Sequence, residues 1–344
     1  MNLLISAEDS DPFLKDEVTR AFPASPVDSP APRIFTASFT LDPDAFPTFV
    51  FLRQLLPNAE EKHAASIGDW SRHLLALISD QLPERQPWRL HIMPHYGDAN
   101  AGQNRCRLIR ETLFELLHRK RRSLMKSLED VPARFEPGSS LVQLLLVAPD
   151  HGFTSVAPAP LPCQLPRFIS PFVKGELPVA SDKAAPSRAF AKLVEAELRL
   201  STRIAKGDFC VDLGACPGSW SYVALQRGAK VMAVDRSPLR EDLMEDRRLT
   251  FHQGDAFSYE PPVPVDWLLC DVIAAPERSI GLLLHWLERG WTRRFVVTIK
   301  FKGQEDYGQL ERLKRELPPL CGDFFITRLC ANKNEACAFG VARS

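Results

Sequence analysis

No run of about 18 apolar residues occurs in this 344-residue chain, so no helix is expected to cross a bilayer. The opening residues, Met1 to Asp9, have no basic stretch ahead of an apolar one and soon reach acids. No secretory signal is expected, and a cytoplasmic location follows. Net charge is absent too, with 43 Lys and Arg against 43 Asp and Glu. That removes any global electrostatic argument for a polyanionic partner, although a local basic patch can sit inside a neutral total. None of the eight cysteines forms a CxxC pair, and no His cluster completes a zinc pattern. No metal is expected, and the thiols are expected to be reduced core residues. Internal repeats and low-complexity tracts are also missing. What remains is an ordinary globular composition, 45% hydrophobic and 25% charged, enough for a sizeable core.

Two textures divide the chain. Residues 1–160 are irregular and rich in Pro. Short apolar segments at Asn2–Ser6, Arg33–Leu41 and Leu141–Val147 predict strands, and periodic patterns at Pro12–Phe22, Ile67–Gln81 and Asn104–Leu128 predict helices. Six prolines lie between Ala157 and Pro178. Proline fixes φ and removes a donor, so residues 161–184 are expected to form a stiff linker. From 185 to 344 strands alternate with helices, which predicts a mostly parallel sheet of the Rossmann-like kind. Phe324–Leu329 and Ala336–Ala342 have no helix between them, so a closing hairpin with one antiparallel strand is expected.

In such a sheet, ligands bind beyond the carboxyl ends of the strands. The first strand of this half runs into Asp212-Leu-Gly-Ala-Cys-Pro-Gly-Ser-Trp220. Gly214 and Gly218 permit a tight turn and close backbone approach, and Pro217 suits a first helical turn. A dinucleotide loop would read GxGxxG and cradle a pyrophosphate. This loop instead has Asp212 in front of a wider glycine spacing. A carboxylate there repels phosphate but can help hold an ammonium. A nucleoside carrying an amino-acid tail, S-adenosylmethionine, fits better. Asp235 ends the second strand, placed for ribose hydroxyls. Asp255 follows the third, placed for an adenine amino group.

Several motifs appear in one order: Pro186-Ser187-Arg-Ala-Phe-Ala-Lys192, the glycine loop, Cys270-Asp271 and Ile299-Lys300. In that order they resemble the FtsJ-like RNA ribose 2′-O-methyltransferases. Within them the chain is most similar to the bacterial type that methylates a cytidine of large-subunit ribosomal RNA. The resemblance covers Ala185 to about Arg343. It implies a seven-stranded methyltransferase domain that binds S-adenosylmethionine through Ser187, Asp212, Gly214, Cys216, Pro217, Gly218, Ser219, Trp220, Asp235, Asp255 and Asp271. It also implies a catalytic set of Lys192, Asp271, Lys300 and Glu335. The segment Cys330-Ala-Asn-Lys333-Asn-Glu335 offers two candidates for the fourth place. Two departures stand out. Ser219 occupies a position that is commonly Gly in this family. Asp271 is followed by Val-Ile-Ala-Ala-Pro276, without the Met-Glu-Lys character of the cytidine type.

A ribose hydroxyl must be oriented and deprotonated before it attacks a methyl on sulfur, and a neutral lysine can serve as base. Lys300 is the expected base, Lys192 the neighbouring cation, and Asp271 and Glu335 orient the two. No metal is required. Further weak similarity in the first half (Leu3-Leu-Ile-Ser6, Phe51-Leu-Arg-Gln-Leu55, Leu144 to Pro149, Gly152-Phe-Thr-Ser155) implies a smaller α+β, THUMP-like RNA-binding region. There, Arg119, Lys120, Arg121 and Arg122 form a candidate phosphate-contacting patch on one helix. Two other readings stay open. A methyltransferase acting on another RNA or a small molecule would share the loop without needing two lysines and two acids. A non-catalytic RNA-binding assembly factor would tolerate loss of Lys300.

Overall fold

The computed structural model describes residues 1–40, 47–97, 100–129, 138–160, 167–177, 179–303 and 307–343. It divides into two compact units, Met1–Glu176 and Leu177–Ser344.

The first unit is α+β. Its elements are β1 (Asn2–Ser6), α1 (Asp11–Ala21), β2 (Val27–Ala31), β3 (Ile34–Ala37), β4 (Leu52–Leu56), β5 (Glu60–His63), α2 (Ile67–Gln81), β6 (Trp88–Pro94), α3 (Ala101–Lys120), α4 (Arg122–Lys126), β7 (Ser140–Leu146) and β8 (His151–Ala157). They build two four-stranded sheets, ordered β2-β3-β1-β4 and β5-β8-β7-β6. Leu3, Ile5, Leu56, Met93, Leu145 and Phe153 from both sheets share one apolar cluster. The faces of Trp70, Leu74 and Ile78 on α2 and Ile109, Leu113 and Leu117 on α3 bury against the second sheet.

The helix expected over Asn104–Leu128 is interrupted. Arg121 leaves helical backbone (φ −144°, ψ 59°) and caps α3, and α4 begins at Arg122. The four basic residues therefore straddle a break instead of sharing a turn. Part of the stretch 161–184, expected as a stiff linker, is packed instead. Leu161, Pro162, Cys163, Gln164, Leu165, Pro166 and Pro178 lie outside the described residues. Residues 167–176 pack into the first unit: Leu55 donates its N–H to the Phe168 carbonyl at 3.0 Å, and Ser170 donates its N–H to Gln54 at 2.6 Å.

The second unit contains α5 (Phe190–Leu200), β9 (Phe209–Leu213), α6 (Ser219–Gln226), β10 (Lys230–Asp235), α7 (Glu241–Met244), β11 (Leu249–Gln253), β12 (Val265–Cys270), α8 (Pro276–Glu288), β13 (Thr292–Lys300), α9 (Gln309–Glu316), β14 (Cys321–Thr327) and β15 (Glu335–Ala342). They form the expected Rossmann-like seven-stranded sheet, ordered β11-β10-β9-β12-β13-β15-β14. Among the described strands of this sheet only β15 runs antiparallel, inserted between β13 and β14. Central strands β9 and β12 are nearly all buried, which explains their unbroken apolar runs. Cys210, Trp267, Leu269 and Phe339 pack with Leu193, Ala196 and Trp220 of α5 and α6.

Chain order reverses around β9, which pairs with β10 on one side and β12 on the other. That switch point is where a crevice opens in folds of this type. No helix among the described residues is long and apolar enough to cross a membrane.

Candidate active site

Four elements converge at the carboxyl edge of the parallel strands. Asp271 follows β12, Lys300 ends β13, and Glu335 starts the antiparallel β15, directly opposite Lys300 in the ladder. Lys192 comes from the first turn of α5. That helix starts at Phe190, so Ser187 lies in the segment before it.

The four side chains form one ion-pair network. Lys192 Nζ donates to both Asp271 carboxylate oxygens at 3.1 Å and lies 2.6 Å from Glu335 Oε1. Lys300 Nζ is 3.1 Å from Asp271 Oδ1 and donates to the Asp271 carbonyl at 2.7 Å. Burial pushes the Lys192 ammonium down, but Asp271 and Glu335 together outweigh it and hold the group above the ordinary lysine value. Lys192 is therefore a fixed cation. Its side chain is 9% exposed against 22% for Lys300, so Lys300 is the lysine that faces open space.

Lys333, the other candidate in that segment, is exposed, and Glu335 makes the pair with Lys192. Asn332 steadies Glu335. It donates to Oε1 at 3.0 Å and accepts from the Leu329 N–H at 2.6 Å. Glu195, one turn after Lys192, accepts the Cys330 N–H at 2.8 Å and holds the same segment from below. Sequence reading missed both residues. Their only signal was a helical or short-loop spacing from a catalytic candidate.

The glycine loop is shaped by close packing. Gly214 has φ +73°, and a Cβ there would come 2.8 Å from Val272 Cβ. Gly218 has φ +106°, and a Cβ there would run into Leu243. Both positions require glycine. Pro217 precedes the capping Gly218 instead of lying in the first turn of α6, and the Cys216–Pro217 peptide is cis. Trp220 Nε1 donates to the Ala189 carbonyl at 2.9 Å, and the Ser187 and Ser219 hydroxyls are 2.7 Å apart. These bonds tie the loop to the entry of α5. The hydroxyl of Ser219 is thus used inside the protein.

The three strand-end acids differ. Asp212 lies beneath the loop, where burial pushes its carboxyl up to about 7 despite the Ser221 hydroxyl that donates to it at 2.7 Å. It ties β9 to α6 and is only 2% exposed, which leaves little of it to meet an ammonium. Asp235 accepts the N–H groups of Cys216 at 3.0 Å and Ser237 at 2.9 Å, so it links the loop to the end of β10. Asp255 stands apart. It accepts from the Phe257 N–H and pairs with Arg236 at 2.9 Å, and the two hold its carboxyl below the usual value.

A cleft of about 1380 Å³ opens over Lys192, Lys300 and Glu335. Among its described lining residues are five cations, Arg188, Lys192, Lys300, Lys302 and Lys333, against two acids, Glu195 and Glu335. Arg188 and Lys302 were not singled out from sequence, because nothing in the pattern around them marks a cleft wall. Elsewhere, in the first unit, His63 and His151 face each other across β5 and β8 with Glu61 beside them, their ligand atoms within 4.8 Å of one another. The residues are up to 90 positions apart, so no spacing pattern signalled the group. Of the described cysteines, five are buried and none is disulfide-bonded. Cys270, next to Asp271, is held by burial at about 12.

The profile of the FtsJ-like methyltransferase family matches residues 185–287, which contain the loop, Lys192 and Asp271. Over 266 residues the chain is 32% identical to the ribosomal RNA large subunit methyltransferase M of Alkalilimnicola ehrlichii, covering 74% of this chain and 68% of that relative. It is 36% identical over 180 residues to the protein of the same name from Teredinibacter turnerae, covering 51% of this chain and 49% of the relative. That match thus spans about half the length of the relative.

Proposed function

This chain belongs to the family of ribosomal RNA large subunit methyltransferase M, and from that premise we propose that it 2′-O-methylates a ribose of large-subunit ribosomal RNA in the cytoplasm. The observation that carries the reading is the single network joining Lys192, Asp271, Lys300 and Glu335 beside a glycine loop with no room for Cβ atoms.

The loop residues fit S-adenosylmethionine. Gly214 and Gly218 let the backbone approach a ligand closely, and Asp235 lies at the strand end suited to ribose hydroxyls. Ser187, Cys216, Pro217, Ser219, Trp220, Asp255 and Asp271 complete the proposed set. Asp212 supports the loop from below. When bound, S-adenosylmethionine supplies a methyl group on a sulfonium, a leaving group that needs no acid.

The protein's remaining work is orientation and proton transfer. Lys300 Nζ, in its neutral amine form, takes the proton of the ribose hydroxyl and becomes the ammonium. Lys192 stays protonated, and Asp271, bonded to both lysines, fixes their separation. Glu335 pairs with the Lys192 ammonium as well. The first unit, with Arg119, Lys120, Arg121 and Arg122 exposed around the α3–α4 break, gathers phosphates of structured RNA.

Mass spectrometry of ribosomal RNA from cells with and without the gene, and with a Lys300→Ala copy, tests the reading. A ribose methyl present only with the wild-type gene is expected. A methyl found on a base rejects the reaction type, and no difference in methylation rejects the enzyme.

A further inference from the structure

We infer that Ile273 is the apolar platform of a nucleobase subsite beside the lysine centre, an inference that rests on the RNA reading above. Ile273 is 88% exposed, while the next most exposed large apolar side chain among the described residues, Val263, is 55% exposed. Exposure of that extent leaves nearly a whole isoleucine side chain in water, and covering it with the apolar face of a ligand is favourable.

Its position is fixed by its neighbours. Asp271 is bonded by two lysines. Val272 packs on the strained Gly214. Ala275 caps α8, and Pro276 is its first residue. The segment is therefore tied down on both sides of the one side chain that is left in solvent.

Ile273 lines the same cleft as Lys300 and Glu335, and Arg188, Lys302 and Lys333 stand in that lining too. The three chemistries match the three parts of a nucleotide. Exposed cations suit the phosphodiester, Lys300 suits the ribose hydroxyl, and an apolar side chain suits the face of a base. The platform touches what the loop cannot. Val272 faces the cofactor loop, while Ile273 faces the cleft, so one short segment links the two halves of the reaction.

The test uses the full chain with ribosomal RNA from cells lacking the gene. Ile273→Ser should raise KM for RNA about tenfold, roughly the loss of one apolar base contact. Its kcat should stay within about twofold of wild type, at the same scale of resolution. Cofactor affinity should not move, and Ile273→Leu should restore KM. A fall in kcat at unchanged KM would make Ile273 a support for Asp271 and overturn the subsite. So would an unchanged KM in both Ile273→Ser and Ile273→Asp. A photoactivatable benzoylphenylalanine placed at position 273 gives a readout independent of turnover. Cross-linking to RNA supports the subsite, and cross-linking to protein alone, or to nothing, overturns it. If the wild-type chain transfers no methyl to any RNA, the functional reading fails while the cross-link still decides the subsite.

Discussion

Asp212 and Asp271 stand at the ends of neighbouring parallel strands, yet the protein treats them in opposite ways. Asp271 is bonded by two lysines and organises a charged centre. Asp212 accepts a serine hydroxyl, no lysine among the described residues bonds it, and burial pushes its carboxyl up to about 7. One strand end is built from ion pairs and the other from close packing. The difference teaches that the lysine centre depends on charge being kept in place, whereas the loop depends on shape and on how little charge it contains.

The sharpest way to break this comparison is at Lys300. Lys300→Ala should lower methyl transfer by roughly a hundredfold or more, the scale of a lost general base. Cofactor affinity measured by calorimetry should stay within a factor of about three. A parallel loss of cofactor affinity would mean that the two strand ends are not separable. Gly218→Ala should do the reverse. The added Cβ meets Leu243 at φ +106°, and strain of about 1–3 kcal/mol should weaken cofactor binding about tenfold or more.

A third prediction moves from buried to exposed cations. Reversing Arg119, Lys120, Arg121 and Arg122 to Glu should weaken RNA binding by about tenfold at physiological salt and flatten its salt dependence. Cofactor affinity should be untouched, and unchanged RNA affinity would remove the patch from the interface. The smallest effect concerns Asp212. Its folded-state value is raised from 3.8 to about 7, so between those values the folded chain keeps a proton that the unfolded chain has released. That contribution to stability is complete below the lower value and is lost as pH rises through the upper one. Asp212→Asn should therefore gain on wild type as pH rises from about 5 to 8, by a few degrees in thermal midpoint. A constant difference across that range would show that Asp212 is ionised at low pH as well.

Much of the second unit was legible because its strands are short, buried apolar runs separated by clear helical periods. The candidate lysine and acid set came from the family resemblance, and the structure brings its four members into one network. The first unit was harder. Strand β4 buries Arg53 and Gln54, and β6 buries Arg89 and His91, so polar residues interrupt the patterns that would mark a core strand. Strand β5 reads Glu-Glu-Lys-His and looks like a solvated run. The break at Arg121 carries no Pro or Gly signal. Pro217 was expected inside the first turn of the helix, but Gly218, in left-handed backbone, is the cap and α6 starts at Ser219. Ile273 gave no signal at all, since exposure belongs to the folded chain.

The pairing of Lys300 with Glu335 across β13 and β15 has a kinetic side. Lys192, Asp271, Lys300 and Glu335 belong to four elements spread over most of the second unit, and β15 must slide between two strands that precede it in sequence. Contacts so distant along the chain form slowly and late. During refolding, helix content should recover before methyl transfer does. The appearance of activity then reports the moment at which the penultimate position in the sheet is filled.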